Sequence, residues 1–214
     1  MDDALTTDAA ARRRVVLVHG AASGPWVFDG WAGAFPDDDV RVPDLQEGLD
    51  VARASMSDYA DRVLAAAGAG PAVLIGWSMG GLVAMMAARR HRPVALVVLE
   101  PSVPAEVDGG DPAWPTETGT YDAAAVYGPP RPGARRRPES LLARSERKRG
   151  VSVPAVDCPF LVVAGRDHGA ARGRSVAERY GAELAEFPEV SHGGLVSDPR
   201  VRDAVVRWVG SHRE

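Results

Sequence analysis

The chain alternates short apolar runs with stretches that carry apolar residues at helical spacing. Three runs are apolar throughout, a pattern typical of strands buried on both faces of a parallel sheet. The predicted strands are Val15–His19, Val40–Pro43, Ala72–Trp77, Val94–Glu100, Phe160–Ala164 and Glu183–Pro188. The predicted helices are Met56–Ala67, Leu82–Arg90, Ala170–Tyr180 and Pro199–Val209. This order predicts an α/β fold, a mostly parallel sheet of about six strands with helices on both faces.

One long segment interrupts the alternation. Residues 101–157 lie between two predicted strands and are rich in Pro, Gly, Ala and Arg, with one polar helix expected over Ser140–Arg149. A connection this long inside a compact domain is usually either a functional lid or disordered. Since 214 residues suit one hydrophobic core, we expect a single domain over residues 1–214, with residues 101–157 inserted in it as a lid.

Composition narrows the class of partner. A formal net charge of −4 argues against a nucleic-acid-binding domain, which usually carries a basic excess. The single cysteine, Cys158, cannot form an internal disulfide and fits a reducing compartment. No apolar run approaches the length of about 18 residues that a membrane span needs, and residues 1–14 lack the apolar segment of a secretory signal. We therefore expect a cytoplasmic protein with neither a nucleic-acid nor a membrane partner; the sequence leaves the oligomeric state open.

A candidate nucleophile lies at the end of the third predicted strand. The strand ends in Gly76-Trp77-Ser78-Met79-Gly80, and a helix-favouring stretch follows at once. In this strand–turn–helix context a Gly-x-Ser-x-Gly pattern exposes the serine hydroxyl on a strained turn. A Cβ at position 76 or 80 is expected to collide with the neighbouring strand or helix. The pattern predicts Ser78 as a nucleophile.

A serine nucleophile needs a base and an acid to orient that base. The candidate base is His192, on a glycine-flanked loop after the last predicted strand, and the candidate acid is Asp167, directly after a buried strand. Glu100, which follows the preceding strand, competes with Asp167 for the acid role and is otherwise a pocket contact. The chain order Ser, Asp, His is the order expected on an α/β sheet of this kind.

The loop after the first strand, His19-Gly20-Ala21-Ala22, is the candidate oxyanion loop. The N–H groups of Ala21 and Met79 are predicted to stabilise the oxyanion. His19 is expected to orient this loop. Candidate residues of the substrate pocket are His19, Ala22, Trp26, Trp77 and Glu100. No histidines have partners at metal-ligand spacing, so we predict neither a metal site nor a cofactor.

Together these residues resemble the α/β-hydrolase family. His19-Gly20 is similar to its oxyanion loop, residues 76–80 to its nucleophile elbow, Asp167 to its acid and His192 to its base. Within the family the chain resembles small serine carboxylesterases with a short lid, although it lacks the two strands that usually precede the oxyanion-loop strand. The resemblance implies hydrolysis of a small-molecule ester or thioester through an acyl-enzyme. Two alternatives remain open: C–C bond hydrolysis or lyase chemistry on the same triad, and a non-catalytic ligand-binding protein on this scaffold.

Overall fold

A parallel β-sheet forms the centre of the molecule in the computed structural model, which describes residues 12–128, 135–166 and 168–212. The six strands of this sheet are β1 (Arg14–Val18), β2 (Asp39–Arg41), β3 (Ala72–Trp77), β4 (Ala95–Leu99), β7 (Phe160–Ala164) and β8 (Glu183–Glu186). Two further strands, β5 (Thr120–Tyr121) and β6 (Glu139–Ser140), lie in the insertion. The helices are α1 (Met56–Ala67), α2 (Met79–His91), α3 (Ala105–Asp108), α4 (Ala123–Tyr127), α5 (Leu141–Arg149), α6 (His168–Tyr180) and α7 (Pro199–Ser211).

The strands of the large sheet lie in the order β2-β1-β3-β4-β7-β8, and every neighbouring pair is parallel. All six predicted strands are present, and the polar strand β8 lies at one edge of the sheet. The register pairs Val18 with Gly76 and Trp77 with Leu99. The carboxyl ends of β1, β3 and β4 therefore lie side by side, which is where ligands bind in open α/β sheets.

Helices cover both faces of the sheet, as the apolar pattern predicts. On one face α1, α2 and α6 pack their apolar sides against the sheet, burying residues such as Tyr59, Met85 and Val176. On the other face α7 packs beside the turns that follow β1, with Trp31 and Val205 buried. Burial on both faces explains why β1, β3, β4 and β7 are almost entirely apolar.

Helix starts follow local side-chain chemistry. Ser55 and Asp58 form a reciprocal capping box at α1, and Asp198 caps α7 ahead of Pro199. No helix within the described ranges is long and apolar enough to cross a membrane.

The insertion contains more structure than its composition indicates. The predicted polar helix is present as α5, with Ser140 as its N-cap. Two short helices, α3 and α4, and the antiparallel pair β5–β6 were not predicted, because each is too short to show a periodic pattern. The pair β5–β6 is tied to the main domain, where Gly119 N–H donates to the Ala52 carbonyl at 2.7 Å.

Candidate active site

Ser78 occupies a strained turn between β3 and α2. Its φ of 58° and ψ of −124° lie outside the helix and strand regions, and a positive φ is uncommon for a residue with a side chain. Two bonds from the side of β4 hold this conformation, in addition to the bond from Gly81 N–H within the turn: Ser78 N–H donates to Leu99 O at 3.0 Å, and the Ser78 carbonyl accepts from Ser102 N–H at 2.9 Å. The turn is therefore fixed from the neighbouring strand β4 and the residues after it.

The glycines on either side of Ser78 are required by close backbone contacts. A Cβ at Gly76 would lie 2.7 Å from the Cα of Gly81, and a Cβ at Gly80 would lie 2.7 Å from the carbonyl carbon of Val18. Such separations do not occur for real side chains, so α2 and β1 can approach the turn only with glycine at both positions. The collision predicted from the sequence is confirmed.

His192 contacts a buried carboxylate at the end of β4. Its Nδ1 lies 2.5 Å from Oε2 of Glu100, and Oε1 of the same carboxylate accepts from Gly165 N–H at 2.7 Å. The Glu100 side chain is 5% exposed, whereas that of His192 is 48% exposed. Because a carboxylate only accepts, Nδ1 carries the proton, and Nε2 is left as the basic nitrogen of the ring.

The sequence interpretation had placed Asp167 in the position that Glu100 occupies beside His192. Asp167 lies outside the described residues, so its role stays a prediction. Glu100, the alternative that the sequence left open, is the acidic partner of His192 in the part of the chain that the structure describes.

Trp77 holds the other side of His192. The two rings lie 5.1 Å apart between centroids at an interplanar angle of 33°, and Trp77 Nε1–H donates to the His192 carbonyl at 3.0 Å. Trp77 directly precedes Ser78, so the residue next to the candidate nucleophile touches the candidate base. The pocket role predicted for Trp77 stays a prediction; the structure places Trp77 against the ring and the carbonyl of His192.

The candidate oxyanion loop lies directly against the nucleophile turn. A Cβ at Gly20 would lie 3.0 Å from the Cβ of Ser78 and 2.9 Å from the Trp77 ring, so the loop backbone is in contact with both. Ala21 directly follows Gly20 in the chain. Met79 is the first residue of α2, and its N–H has no acceptor within the helix.

The His19 ring holds this loop through hydrogen bonds to the backbone. Its Nε2 accepts from Leu45 N–H at 3.1 Å. The proton therefore sits on Nδ1, which donates to the Gly20 carbonyl at 3.0 Å. The ring is fully buried, and this matches the predicted orienting role. The same burial corrects the assignment of His19 to the pocket wall, since both nitrogens are engaged with the backbone.

Arg137, in the insertion, contacts Asp44 and His19 beside the candidate oxyanion loop. Its two terminal nitrogens contact Asp44 at 2.8 and 2.5 Å, and Nη2 lies 3.3 Å from Nε2 of His19. The pKa of the Asp44 carboxyl is held well below its usual range by the neighbouring His19 ring and by the Arg137 guanidinium. Because Nε2 of His19 is an acceptor that lies 3.7 Å from Asp44, we attribute most of this stabilisation to Arg137.

Comparison with known proteins now identifies the family. The family model described as "Alpha/beta hydrolase family" matches residues 15–206, which is most of the chain. The chain belongs to the alpha/beta hydrolase family. The predicted fold class and family are both confirmed, and the matched range spans β1 to α7.

Solved structures with the same fold as this alpha/beta hydrolase include several hydrolases of low sequence identity. A thermophilic esterase from Thermogutta terrifontis aligns with a TM-score of 0.64 at 21% identity, covering 95% of this chain and 92% of the esterase. A pyrethroid hydrolase from Sphingobium faniae aligns with a TM-score of 0.65 at 19% identity, covering 92% and 97%. A tomato methylketone synthase aligns with a TM-score of 0.65 at 14% identity, covering 95% and 99%. No curated protein matches the sequence.

The remaining predicted pocket residues of this alpha/beta hydrolase differ in accessibility. Ala22 is 2% exposed, so its side chain does not line an open pocket, which corrects that assignment. Trp26 is half-buried and packs its ring against Gly24. The guanidinium of Arg137 lies 5.5 Å from the centre of the Trp26 ring. Trp26 therefore stands between the oxyanion loop and the insertion.

Three contributors to the candidate site of this alpha/beta hydrolase were not predicted from the sequence: Gly165, Asp44 and Arg137. Each acts through a contact with a residue far away in the chain, and none belongs to a local motif. Among the described residues, no three His, Cys, Asp or Glu side chains are grouped so that they could hold a metal ion.

Proposed function

We propose that this protein is a serine hydrolase that cleaves carboxylic esters or thioesters of small molecules through an acyl-enzyme on Ser78. The observation that supports it most is the 2.5 Å contact between His192 Nδ1 and the buried Glu100 carboxylate. A histidine held in this way has a defined tautomer, with its basic nitrogen free to take a proton from a hydroxyl.

The first half of the reaction forms the acyl-enzyme. The Ser78 hydroxyl oxygen attacks the carbonyl carbon of the ester while Nε2 of His192 takes the hydroxyl proton. The tetrahedral intermediate then collapses: the bond to the leaving alcohol or thiol breaks, and His192 returns the proton to it. In the second half, His192 takes a proton from water, water attacks the acyl carbon, and the acid is released as the proton returns to Ser78. The sequence of steps uses no cofactor.

The charge that develops on the carbonyl oxygen needs donors that are already in place. The amides of Ala21 and Met79 are the proposed donors, since Gly20 contacts the Ser78 turn and Met79 begins α2. Loss of one such donor commonly costs about 2.7–4 kcal/mol of transition-state stabilisation. The positive end of the α2 dipole adds to the same stabilisation.

We assign the acid role to Glu100 in place of Asp167. Glu100 has the geometry of an orienting acid: one oxygen on His192 and the other on Gly165 N–H, with the side chain buried. The insertion over residues 101–157 is proposed to act as the lid of the substrate pocket, and the contact of Arg137 with Asp44 anchors it beside the oxyanion loop.

The proposal is tested by labelling and turnover with the full chain. A fluorophosphonate probe is expected to label the wild type at Ser78, and p-nitrophenyl acetate and phenyl thioacetate are expected to be hydrolysed. Ser78→Ala should abolish labelling and lower kcat by at least about 10³-fold. The control is Ser175→Ala, because the Ser175 hydroxyl lies on α6 and donates only to the Ala171 carbonyl among described residues. It should behave as the wild type.

The alternatives give different results in the same assays. Turnover of dienol or cyanohydrin substrates without ester hydrolysis would show that the triad catalyses C–C bond hydrolysis or lyase chemistry in place of ester hydrolysis. A wild-type protein that the probe leaves unlabelled and that turns over none of these substrates would contradict the enzymatic proposal and favour a ligand-binding role.

A further inference from the structure

A buried carboxylate from the insertion collects four hydrogen bonds. Glu139, in β6, is fully buried. Its Oε1 accepts from the Tyr59 hydroxyl at 2.5 Å, from Ser140 N–H at 2.9 Å and from Gln46 Nε2 at 3.2 Å. Its Oε2 accepts from Ala22 N–H at 2.7 Å. Burial, followed by the Glu139 carboxylate itself, raises the pKa of Tyr59, so the hydroxyl remains a donor.

The Ala22 amide is the contact that reaches the candidate site. Ala22 directly follows Ala21 and has a φ of 56°, a left-handed conformation that a residue with a side chain rarely adopts. Both of its backbone polar groups are bonded to the insertion, because its carbonyl also accepts from Arg137 N–H at 3.1 Å. The strained end of the oxyanion loop is thus held by residues 137–139.

We propose that Glu139 is a positioning residue that holds the oxyanion loop from the insertion, so that the Ala21 amide is aimed before the substrate arrives. This inference rests on the proposed function, in which the Ala21 amide binds the oxyanion. Preorganised donors act at full strength only when they need not move during the reaction, and a displacement of about 1 Å can cost roughly 10²-fold in rate. The two residues of the insertion that bond Ala22, Arg137 and Glu139, are therefore part of the proposed catalytic geometry.

The chain offers a matched control for a merely structural role. Glu146, in α5, also belongs to the insertion and also accepts a main-domain amide, that of Met56, at 2.6 Å. Met56 begins α1 and is not part of the oxyanion loop. Glu146→Gln therefore makes the same chemical change at a second contact between the insertion and the main domain. This contact does not involve the oxyanion loop.

Glu139→Gln should release Ala22 selectively. Three donors face Oε1 and one faces Oε2, so the glutamine oxygen is expected to stay with the three and the NH2 group to face the Ala22 amide. Two donors then oppose each other, and the Ala22 bond is lost. We expect hydrogen–deuterium exchange at residues 20–23 to become at least about tenfold faster, and kcat for p-nitrophenyl acetate to fall about 10- to 100-fold with KM changed less than about threefold. Glu146→Gln should leave both within about twofold.

The outcomes separate the two proposals. Unchanged exchange at residues 20–23 in Glu139→Gln, or faster exchange with unchanged kcat, overturns the positioning role. An equal fall of kcat in Glu146→Gln also overturns it, since any loosened anchor of the insertion would then suffice. If Glu139→Gln does not fold, Glu139→Asp is measured in its place. The shorter aspartate side chain cannot reach both Ala22 and Tyr59, so the same changes in exchange and kcat are expected. Absence of ester turnover in the wild type contradicts the proposed function, while the exchange data still decide whether Glu139 holds the loop.

Discussion

Replacing Glu100 with glutamine tests the acid assignment, and the structure gives the expected magnitude. The glutamine has two orientations in the buried site. In one, its oxygen keeps the Gly165 N–H and its NH2 faces Nδ1 of His192, which must then accept and carry its proton on Nε2. In the other, its oxygen faces His192, but the NH2 opposes Gly165 N–H in a site where the native side chain is 5% exposed.

The second orientation leaves a buried donor unsatisfied, at a cost of about 1–3 kcal/mol. The first therefore dominates by roughly 5- to 150-fold, and it holds His192 in the tautomer that cannot act as a base. The carboxylate charge that stabilises the imidazolium is lost in both orientations. We expect kcat to fall by about 10²- to 10⁴-fold, the upper figure being that of a comparable acid-to-amide change in a serine protease triad.

The assay is p-nitrophenyl acetate hydrolysis by Glu100→Gln and, as the matched change at the other candidate acid, Asp167→Asn. Thermal unfolding of each variant is the control that distinguishes a loss of activity from a loss of folding. The assignment is refuted if Glu100→Gln keeps more than about a third of wild-type kcat while Asp167→Asn loses 10²-fold or more. Such a result would return the acid role to Asp167 and make Glu100 a structural contact.

Two further predictions concern stability. Gly76→Ala should prevent folding or lower the unfolding midpoint in urea strongly, because the new Cβ would lie 2.7 Å from the Cα of Gly81 with no flexible side chain to move aside; an unchanged midpoint would contradict the close packing of α2 on β3. Asp44→Asn should be less stable than the wild type at pH 7, because the folded state lowers the pKa of Asp44. The difference in free energy of unfolding between the two proteins should shrink as the pH falls from about 5 toward and below about 3.9, the pKa of an aspartate in the unfolded chain. Urea titrations at pH 7, 5 and 3.5 measure it, and a difference that does not change with pH would show that Asp44 acts through packing alone.

The elements could be predicted because their signals are local. Apolar runs predicted β1, β3, β4 and β7, and the glycines around Ser78 have a steric reason that can be inferred without coordinates. His19 could be predicted as an orienting residue because it is the first residue of the candidate oxyanion loop. Each of these inferences needs only a residue and its neighbours in the chain.

The acid could not be decided from the sequence because the choice depends on side-chain reach. The strands β4 and β7 are adjacent in the sheet, so Glu100 and Asp167 both follow strands that end at the same edge. Glutamate is one methylene longer than aspartate, and which carboxylate meets the imidazole depends on the path of the loop that carries His192. Glu139 was missed for a similar reason: it is an isolated acidic residue in an arginine-rich segment, and its partners Ala22 and Tyr59 lie 117 and 80 positions away.

Backbone strain in this protein is concentrated at the candidate site. Four non-glycine residues in the described ranges have a positive φ, and three of them are Ala22, Ser78 and Glu100. The fourth, Arg92, ends helix α2, where a left-handed residue is ordinary. Strain of this kind costs about 1–3 kcal/mol per residue, so the three together cost about 3–9 kcal/mol, comparable with the whole stability of a typical domain.

Each strained residue is held by bonds from a different part of the fold. Ser78 is bonded to Leu99 of β4 and to Ser102. Glu100 donates its N–H to the Val163 carbonyl of β7 at 2.9 Å, and Ala22 is held by the insertion. The candidate nucleophile, the candidate acid and the candidate oxyanion loop are therefore each held by bonds of their own, and loosening one of these bonds should disturb its own component first. When the hydrogen bond to Ala22 alone is removed, we therefore expect kcat to fall with little change in KM. An equal loss of substrate binding and turnover would contradict the inference that the strained residues preorganise the site.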